Sequence, residues 1–284
     1  MLIRLIEPTH GTLRYRNEDI THLRRKEMRK YRCDMQMIFQ DPFSSLPVRY
    51  TAGQILCEPL KIHKRVSTTE ECVDRASKLL DDVGLTPTDT FLQKHPNELS
   101  GGQRQRLCIA RAITLNPKFI VADEPVSMLD LSVRAGILNL LKRLKDEHGL
   151  TLMLITHDLA SAQYMCNMIS IMYIGKIVEL GPGKEILQLP YHPYTMLLKS
   201  ALPTLNPLTK HHLMSLPGEG DLPNPLCIPF GCTFHPRCVY AKEICKKVIP
   251  ELRDYDGRQI SCHGIGDWID PEIAAAELKV KDNA

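Results

Sequence analysis

The chain has 284 residues, 43% of them hydrophobic and 24% charged, which is enough to bury one sizeable core and a small appendage. Its formal net charge of +3 comes from 36 basic and 33 acidic residues spread along the sequence, so no domain-wide positive field points to nucleic acid. No stretch approaches the roughly 20 apolar residues that span a bilayer, and the first residues lack a signal peptide's long apolar region, so membrane association is expected only through a partner.

Residues 1–33 combine a short apolar start, a turn at Glu7-Pro8-Thr9-His10-Gly11 and a charged stretch in which Asp19-Ile20-Thr21 is expected to open a helix. The dense basic cluster Arg24, Arg25, Lys26, Arg29, Lys30 and Arg32 reads as a solvated helix face. The first strand is expected at 35–39. Ala76, Leu79, Leu80 and Val83, ending at Gly84, predict an amphipathic helix with a C-terminal glycine. Leu99-Ser100-Gly101-Gly102 precedes a helical pattern through Leu107, Ile109, Ala110 and Ile113 that Asn116-Pro117 closes. Residues 119–122 and 152–155 are uninterrupted apolar runs with a helix expected over 133–145 between them. Apolar strands alternating with helices predict an α/β fold whose parallel sheet is covered on both faces. Residues 169–172 and 176–180, joined at Ile174-Gly175, read as a hairpin-like pair.

After Gly181-Pro182-Gly183 the texture becomes proline-rich, with Leu202-Pro203, Leu216-Pro217 and Leu222-Pro223, and a boundary is expected between 182 and 205. Cys33, Cys57, Cys72, Cys108 and Cys166 are scattered as reduced thiols would be, whereas the other five of the ten cysteines crowd into 227–262 and mark a separate module.

The run 119–122 ends in Asp123-Glu124-Pro125, and the C-terminal end of a parallel strand is where such sheets bind ligands. In nucleotide triphosphatases an aspartate there holds magnesium, and a neighbouring carboxylate can polarise the attacking water. Taken alone, the same residues also fit a strand ending in an exposed acidic turn. Ser100-Gly101-Gly102-Gln103 at a helix N-terminus presents a hydroxyl, bare N–H groups and the positive dipole end to a phosphate; an ordinary serine-capped helix is the plainer reading. Gln40 and His157, as isolated residues, suit a loop glutamine and a histidine at a strand end.

The order of these features is more specific. Gln40 in Ile38-Phe39-Gln40-Asp41-Pro42, LSGGQRQR at 99–106, VADEP at 121–125, Ser127-Met128-Leu129-Asp130 and Thr156-His157-Asp158 resemble the Q-loop, signature, Walker B, D-loop and switch-histidine motifs of ATP-binding cassettes. The resemblance implies a P-loop NTPase-like cassette over 1–190, with a helical subdomain at 55–112, and an extension over 191–284. It implies ATP and Mg2+ as cofactors. Gln40 would contact magnesium and water, Asp123 would hold magnesium, Glu124 would be the base and His157 the γ-phosphate contact. Ser100, Gly101, Gly102 and Gln103 would meet the nucleotide, and Asp130 would couple the halves of a dimer.

His192-Pro193-Tyr194-Thr195 and Gly231-Cys232-Thr233-Phe234-His235-Pro236-Arg237-Cys238 narrow the resemblance to the di- and oligopeptide (also nickel) importer branch. There a cassette pairs with a second, identical or not, beneath two transmembrane permease subunits at the cytoplasmic face of the membrane. An extracytoplasmic solute-binding protein serves the assembly indirectly. Cys232, Cys238, Cys245 and Cys262 are separated by five, six and sixteen residues, looser than the roughly two to four usual within zinc-finger pairs. Four thiolates also suit an iron–sulfur cluster, and the resemblance favours a four-iron four-sulfur cluster over zinc. A structural disulfide is the third option, and Cys227 a poorer ligand.

The sequence departs from the family in one important respect. It contains no Gly-x-x-x-x-Gly-Lys-[Ser/Thr] run, whose amides would wrap the phosphates. Residues 2–9 resemble the end of the helix after that loop, so Met1 is expected to lie inside the domain, and a central strand and the adenine-stacking aromatic are expected to be missing with the loop. Lacking that strand, the sheet is expected to show apolar faces and an unpaired edge. Leu46-Pro47-Val48-Arg49, where Leu-Asn-Pro-Arg is commoner, and Met128, where Ala is usual, touch no catalytic group. The expected function is the ATP-hydrolysing subunit of a peptide importer, provided the loop is supplied. The alternatives are a non-hydrolysing partner cassette that donates its signature motif, or a truncated fragment without function.

Overall fold

The computed structural model describes residues 1–201 and 227–274. The proline-rich segment with Leu202-Pro203, Leu216-Pro217 and Leu222-Pro223 lies outside the described residues. The chain divides into two compact units, Met1–His157 and Asp158–Ala284.

The first unit is built on a parallel sheet in the order Met35–Ile38, Phe119–Asp123, Thr151–Ile155. The middle strand buries Ile120, Val121 and Ala122 consecutively, as a strand covered on both faces must. Thr151–Ile155, equally apolar in sequence, instead alternates in exposure, and Met153 and Ile155 are each 40% exposed. It lies at the edge of this sheet with one side paired, which is why a continuous apolar run is not continuously buried here. The crossover into it is the Leu131–His148 helix, longer than the expected 133–145, stopped by Gly149 at φ +60°.

The helices carry clear start signals. Thr51 accepts from the Gln54 N–H and Gln54 reaches back, a capping box that opens Ala52–Ile62. Thr68 caps Thr69–Asp82 by accepting from the Glu71 N–H, and Gly84 follows its end at φ +70°. Leu56, Leu60, Leu80, Leu107 and Ile109 are fully buried between these helices and Gly101–Ile113.

The helix start expected at Asp19-Ile20-Thr21 does not occur. Glu18–Asp19 pairs with Arg14–Tyr15 as a short antiparallel ribbon, turned by Arg16 and Asn17, both at positive φ. The Asp19 carboxylate accepts from the Thr21 N–H at 2.8 Å, closing an aspartate turn with the same group that would have capped a helix. The helix begins only at Arg25 and runs to Asp34, where it presents the basic cluster on one side and buries Met28 and Tyr31 on the other.

The second unit holds an antiparallel sheet in the order Met168–Tyr173, Lys176–Pro182, Arg258–Ile260, Arg253–Tyr255. Its first two strands are the expected hairpin; Ile174 and Gly175 both take positive φ, the conformation a tight two-residue turn requires. The Arg258–Ile260 strand returns from the cysteine-rich region to pair with Lys176–Pro182. Glu179, on that strand, is wholly buried; its carboxylate accepts from the Tyr191 and His192 N–H groups at 3.0 Å each and lies 3.6 Å from the Arg258 guanidinium. Among the described residues no helix is long and apolar enough to cross a membrane.

Candidate functional site

Three of the residues singled out by sequence meet at the C-terminal ends of the parallel strands. Gln40 follows the Met35–Ile38 strand, Glu124 follows Phe119–Asp123, and His157 follows Thr151–Ile155. Gln40 Nε2 donates to Glu124 Oε2 at 3.0 Å, and His157 Nδ1 lies 3.1 Å from Glu124 Oε1. Each carboxylate oxygen therefore has its own partner, and the two partners come from the two flanking strands.

Glu124 sits at φ +42°, a left-handed conformation that costs a non-glycine residue roughly 1–3 kcal/mol unless neighbours enforce it. They do so here. Its N–H donates to Ile155 O at 2.9 Å, and its carbonyl accepts from the Ser127 N–H and hydroxyl. Asp123, the last residue of the middle strand and paired in register with Ile155, stands beside this cluster.

A second group forms around the signature-like segment. Ser100 caps Gly101–Ile113 through a reciprocal pair: its hydroxyl accepts from the Gln103 N–H at 3.3 Å, and Gln103 Oε1 accepts from the Ser100 N–H at 3.0 Å. A Cβ on Gly102 would approach Val133 Cγ1 to 2.8 Å and one on Gly101 would meet Leu129, so the glycines let this helix start close against the residues that flank Asp130. Asp130 begins Leu131–His148, is exposed, and makes no side-chain cap.

Sequence reasoning missed how the loop after Gln40 is held. Asp41 caps the short Pro42–Ser45 helix by accepting from the Phe43 N–H. Arg111 Nη1 donates to Ser45 O at 2.8 Å, and the Arg104 guanidinium lies 4.3 Å from the Phe43 ring centroid. Two arginines of the signature helix thus tether the glutamine loop. They stand some sixty positions from their partners and have no local sequence signal.

The cysteine module has its own geometry. Cys232, Cys238, Cys245 and Cys262 line one cavity, together with Phe234 and Trp268. The Cys232 N–H donates to Cys245 O at 2.8 Å, and Gly231 packs so closely on that segment that a Cβ would come within 2.8 Å of the Lys246 carbonyl carbon. Burial pushes the Cys238 thiol up to about 12 and Cys262 to about 11, and raises Cys232 as well. All ten cysteines are free thiols, and Cys227 is exposed. Among the described residues no three His, Cys, Asp or Glu side chains form a group that could hold a metal ion, so neither the cluster nor the zinc expectation finds a ready-made site.

Against known proteins, a family model described as ABC transporter matches residues 1–127, and one described as oligopeptide/dipeptide transporter, C-terminal region, matches 178–245. A probable peptide ABC transporter ATP-binding protein of Sinorhizobium fredii is 45% identical over 93% of this chain and 73% of its own length. The chain belongs to the ATP-binding subunits of the ABC transporter family. An oligopeptide transport ATP-binding protein of Bacillus subtilis is 42% identical over 92% of this chain and 79% of that protein. Among solved structures, the dimeric post-hydrolysis ATP-binding cassette MJ0796 with ADP and Pi is 33% identical with a TM-score of 0.56, covering 63% of this chain and 75% of that one. The cbiO1 protein of Clostridium perfringens, part of the ABC transporter complex cbiONQ, is 26% identical with a TM-score of 0.58, covering 66% of this chain and 72% of its own. The cassette fold expected from the motif order is therefore the fold this chain has.

Proposed function

We propose that the chain is the ATP-binding and ATP-hydrolysing subunit of an importer for di- or oligopeptides. The observation that carries this is the Glu124 carboxylate bracketed by Gln40 and His157 beside Asp123 at the sheet's C-terminal edge. A carboxylate so placed can accept the proton of an attacking water. Gln40 orients that water, His157 hydrogen-bonds the terminal phosphate, and Asp123 is the residue fitted to hold Mg2+. ATP with its magnesium, when bound, supplies the phosphoryl group to be transferred.

These 284 residues contain no phosphate-wrapping glycine–lysine run. We place the strand that carries one at the free edge of Thr151–Ile155, where Met153 and Ile155 are exposed. Ser100, Gly101, Gly102 and Gln103 serve a nucleotide held by a second cassette, whether identical to this one or not. The support is a surface of Met128, 59% exposed, and Leu131, 82% exposed, on either side of Asp130: apolar side chains that a partner would cover. We assign residues 1–190 to the cassette, its helical subdomain at 55–112, and 191–284 to the extension. The assembly includes two transmembrane permeases, with this subunit peripheral at the cytoplasmic face, and a solute-binding protein acting outside; the peptide-import names of the relatives support this.

Disrupting the gene is expected to abolish uptake of labelled di- and tripeptides and to leave nickel uptake unchanged. Loss of nickel uptake with peptide uptake intact would reassign the substrate.

We further propose that Cys232, Cys238, Cys245 and Cys262 hold a four-iron four-sulfur cluster. The support is that these four thiols line one cavity of the extension, as the four thiolates of such a cluster would. Anaerobic purification is expected to give about four iron and four acid-labile sulfide per chain, lost in Cys238→Ser. Stoichiometric zinc without sulfide would refute the cluster.

A further inference from the structure

Away from the nucleotide site, the Cys33 thiol and the His63 imidazole meet. Cys33 Sγ lies 3.0 Å from His63 Nδ1 and 3.7 Å from Arg29 O. Cys33 stands near the end of the Arg25–Asp34 helix and His63 is the C-cap of Ala52–Ile62, so the pair joins the two segments that flank the loop bearing Gln40. The junction is reinforced by Arg29 Nη2, which donates to Ile62 O at 3.1 Å.

The pair opens into a shallow, solvent-open cavity of about 310 Å3 lined by Arg29, Lys30, Cys33, Ile62, His63 and Lys64. That volume falls in the range of small-molecule sites, and the lining is cationic. Lys30 is already engaged by Glu18 at 3.7 Å, which leaves Arg29 and Lys64 as the charges nearest to act on a ligand. Burial, then the charges of Arg29 and Arg65, hold the His63 imidazole below its ordinary pKa.

We infer that Cys33 is a modification site for small acidic disulfides, the thiol being activated by His63 and the ligand's carboxylates being met by Arg29 and Lys64. The chemistry is a thiol–disulfide exchange. The Cys33 proton passes to His63 Nδ1, the thiolate attacks one sulfur of the disulfide, and a new Cys33 S–S bond forms as the old S–S bond breaks. The departing thiolate recovers the proton from the imidazolium. No net oxidant beyond the disulfide itself is consumed, and excess thiol reverses the reaction.

The test treats the full-length chain with glutathione disulfide and follows each cysteine by peptide mass mapping. Cys33 is expected to react about tenfold faster than the exposed Cys227, and His63→Gln is expected to erase that advantage. Arg29→Gln and Lys64→Gln are expected to slow glutathione disulfide more than uncharged hydroxyethyl disulfide. Because Lys64 is exposed, its substitution leaves the fold intact and keeps the comparison readable if His63→Gln unfolds the chain. Equal rates at Cys33 and Cys227, or an unchanged Cys33 rate in a folded His63→Gln, would overturn the activated pair. Equal slowing of both disulfides would overturn the acidic-ligand assignment.

Discussion

Replacing Glu124 with glutamine is expected to lower ATP hydrolysis by the assembled importer about 10²- to 10⁴-fold while leaving nucleotide binding in place. The amide keeps the shape of the carboxylate and can still hydrogen-bond Gln40 and His157, now 3.0 and 3.1 Å away. What it loses is the capacity to take a proton from water. The backbone restraints from Ile155 and Ser127 do not involve the side chain, so thermal stability is expected to stay the same. Phosphate release within about threefold of the unmodified importer would remove Glu124 from the role of base. The same variant separates the donor reading. If this subunit only lends Ser100–Gln103 to a partner's nucleotide, Glu124→Gln leaves turnover untouched while Ser100→Arg, which places a bulky cation at the helix cap, abolishes it.

Phe119–Asp123 and Thr151–Ile155 were legible as short apolar runs between helical patterns, and the hairpin because Ile174-Gly175 marks its turn. The meeting of Gln40 with Glu124, 84 positions apart, was legible only through motif order, since periodicity says nothing about side chains at the ends of different strands. Asp19 misled because an aspartate turn and a helix cap use the same carboxylate and the same kind of following residue. The edge character of Thr151–Ile155 was invisible in its own residues, for an apolar run reads alike whether one side or both are covered. The tethers from Arg104 and Arg111 and the Cys33–His63 contact depend on packing between elements, which no single stretch of sequence records. Glu179 is the sharpest case, an acidic residue in a strand that alternation would turn outward and that the structure buries completely.

That burial sets up the largest stability effect. Glu179 keeps two backbone N–H partners, but among the described residues its ion-pair partner is Arg258 alone, itself 5% exposed. Arg258→Met keeps most of the apolar bulk and removes the charge, so a carboxylate is left in the interior without its cation. Breaking a buried pair in this way costs about 3–5 kcal/mol. Arg258 Nη1 also donates to Leu189 O, and its guanidinium lies 3.9 Å from the Tyr191 ring centroid, so these contacts go with it. The unfolding midpoint of the second unit is expected to fall on the order of 10 °C. Adding Glu179→Gln neutralises the stranded charge and is expected to recover part of the loss, with a coupling energy above about 1 kcal/mol. The effect reaches the cysteine module, because the two N–H groups that Glu179 holds belong to Tyr191 and His192, and His192 lines the cavity of the four thiols. Arg258→Met is therefore expected to loosen that cavity and raise the reactivity of Cys238 toward a thiol reagent. A midpoint shift under about 2 °C, or a double variant no more stable than the sum of its parts, would show that the ion pair is not what orders this unit.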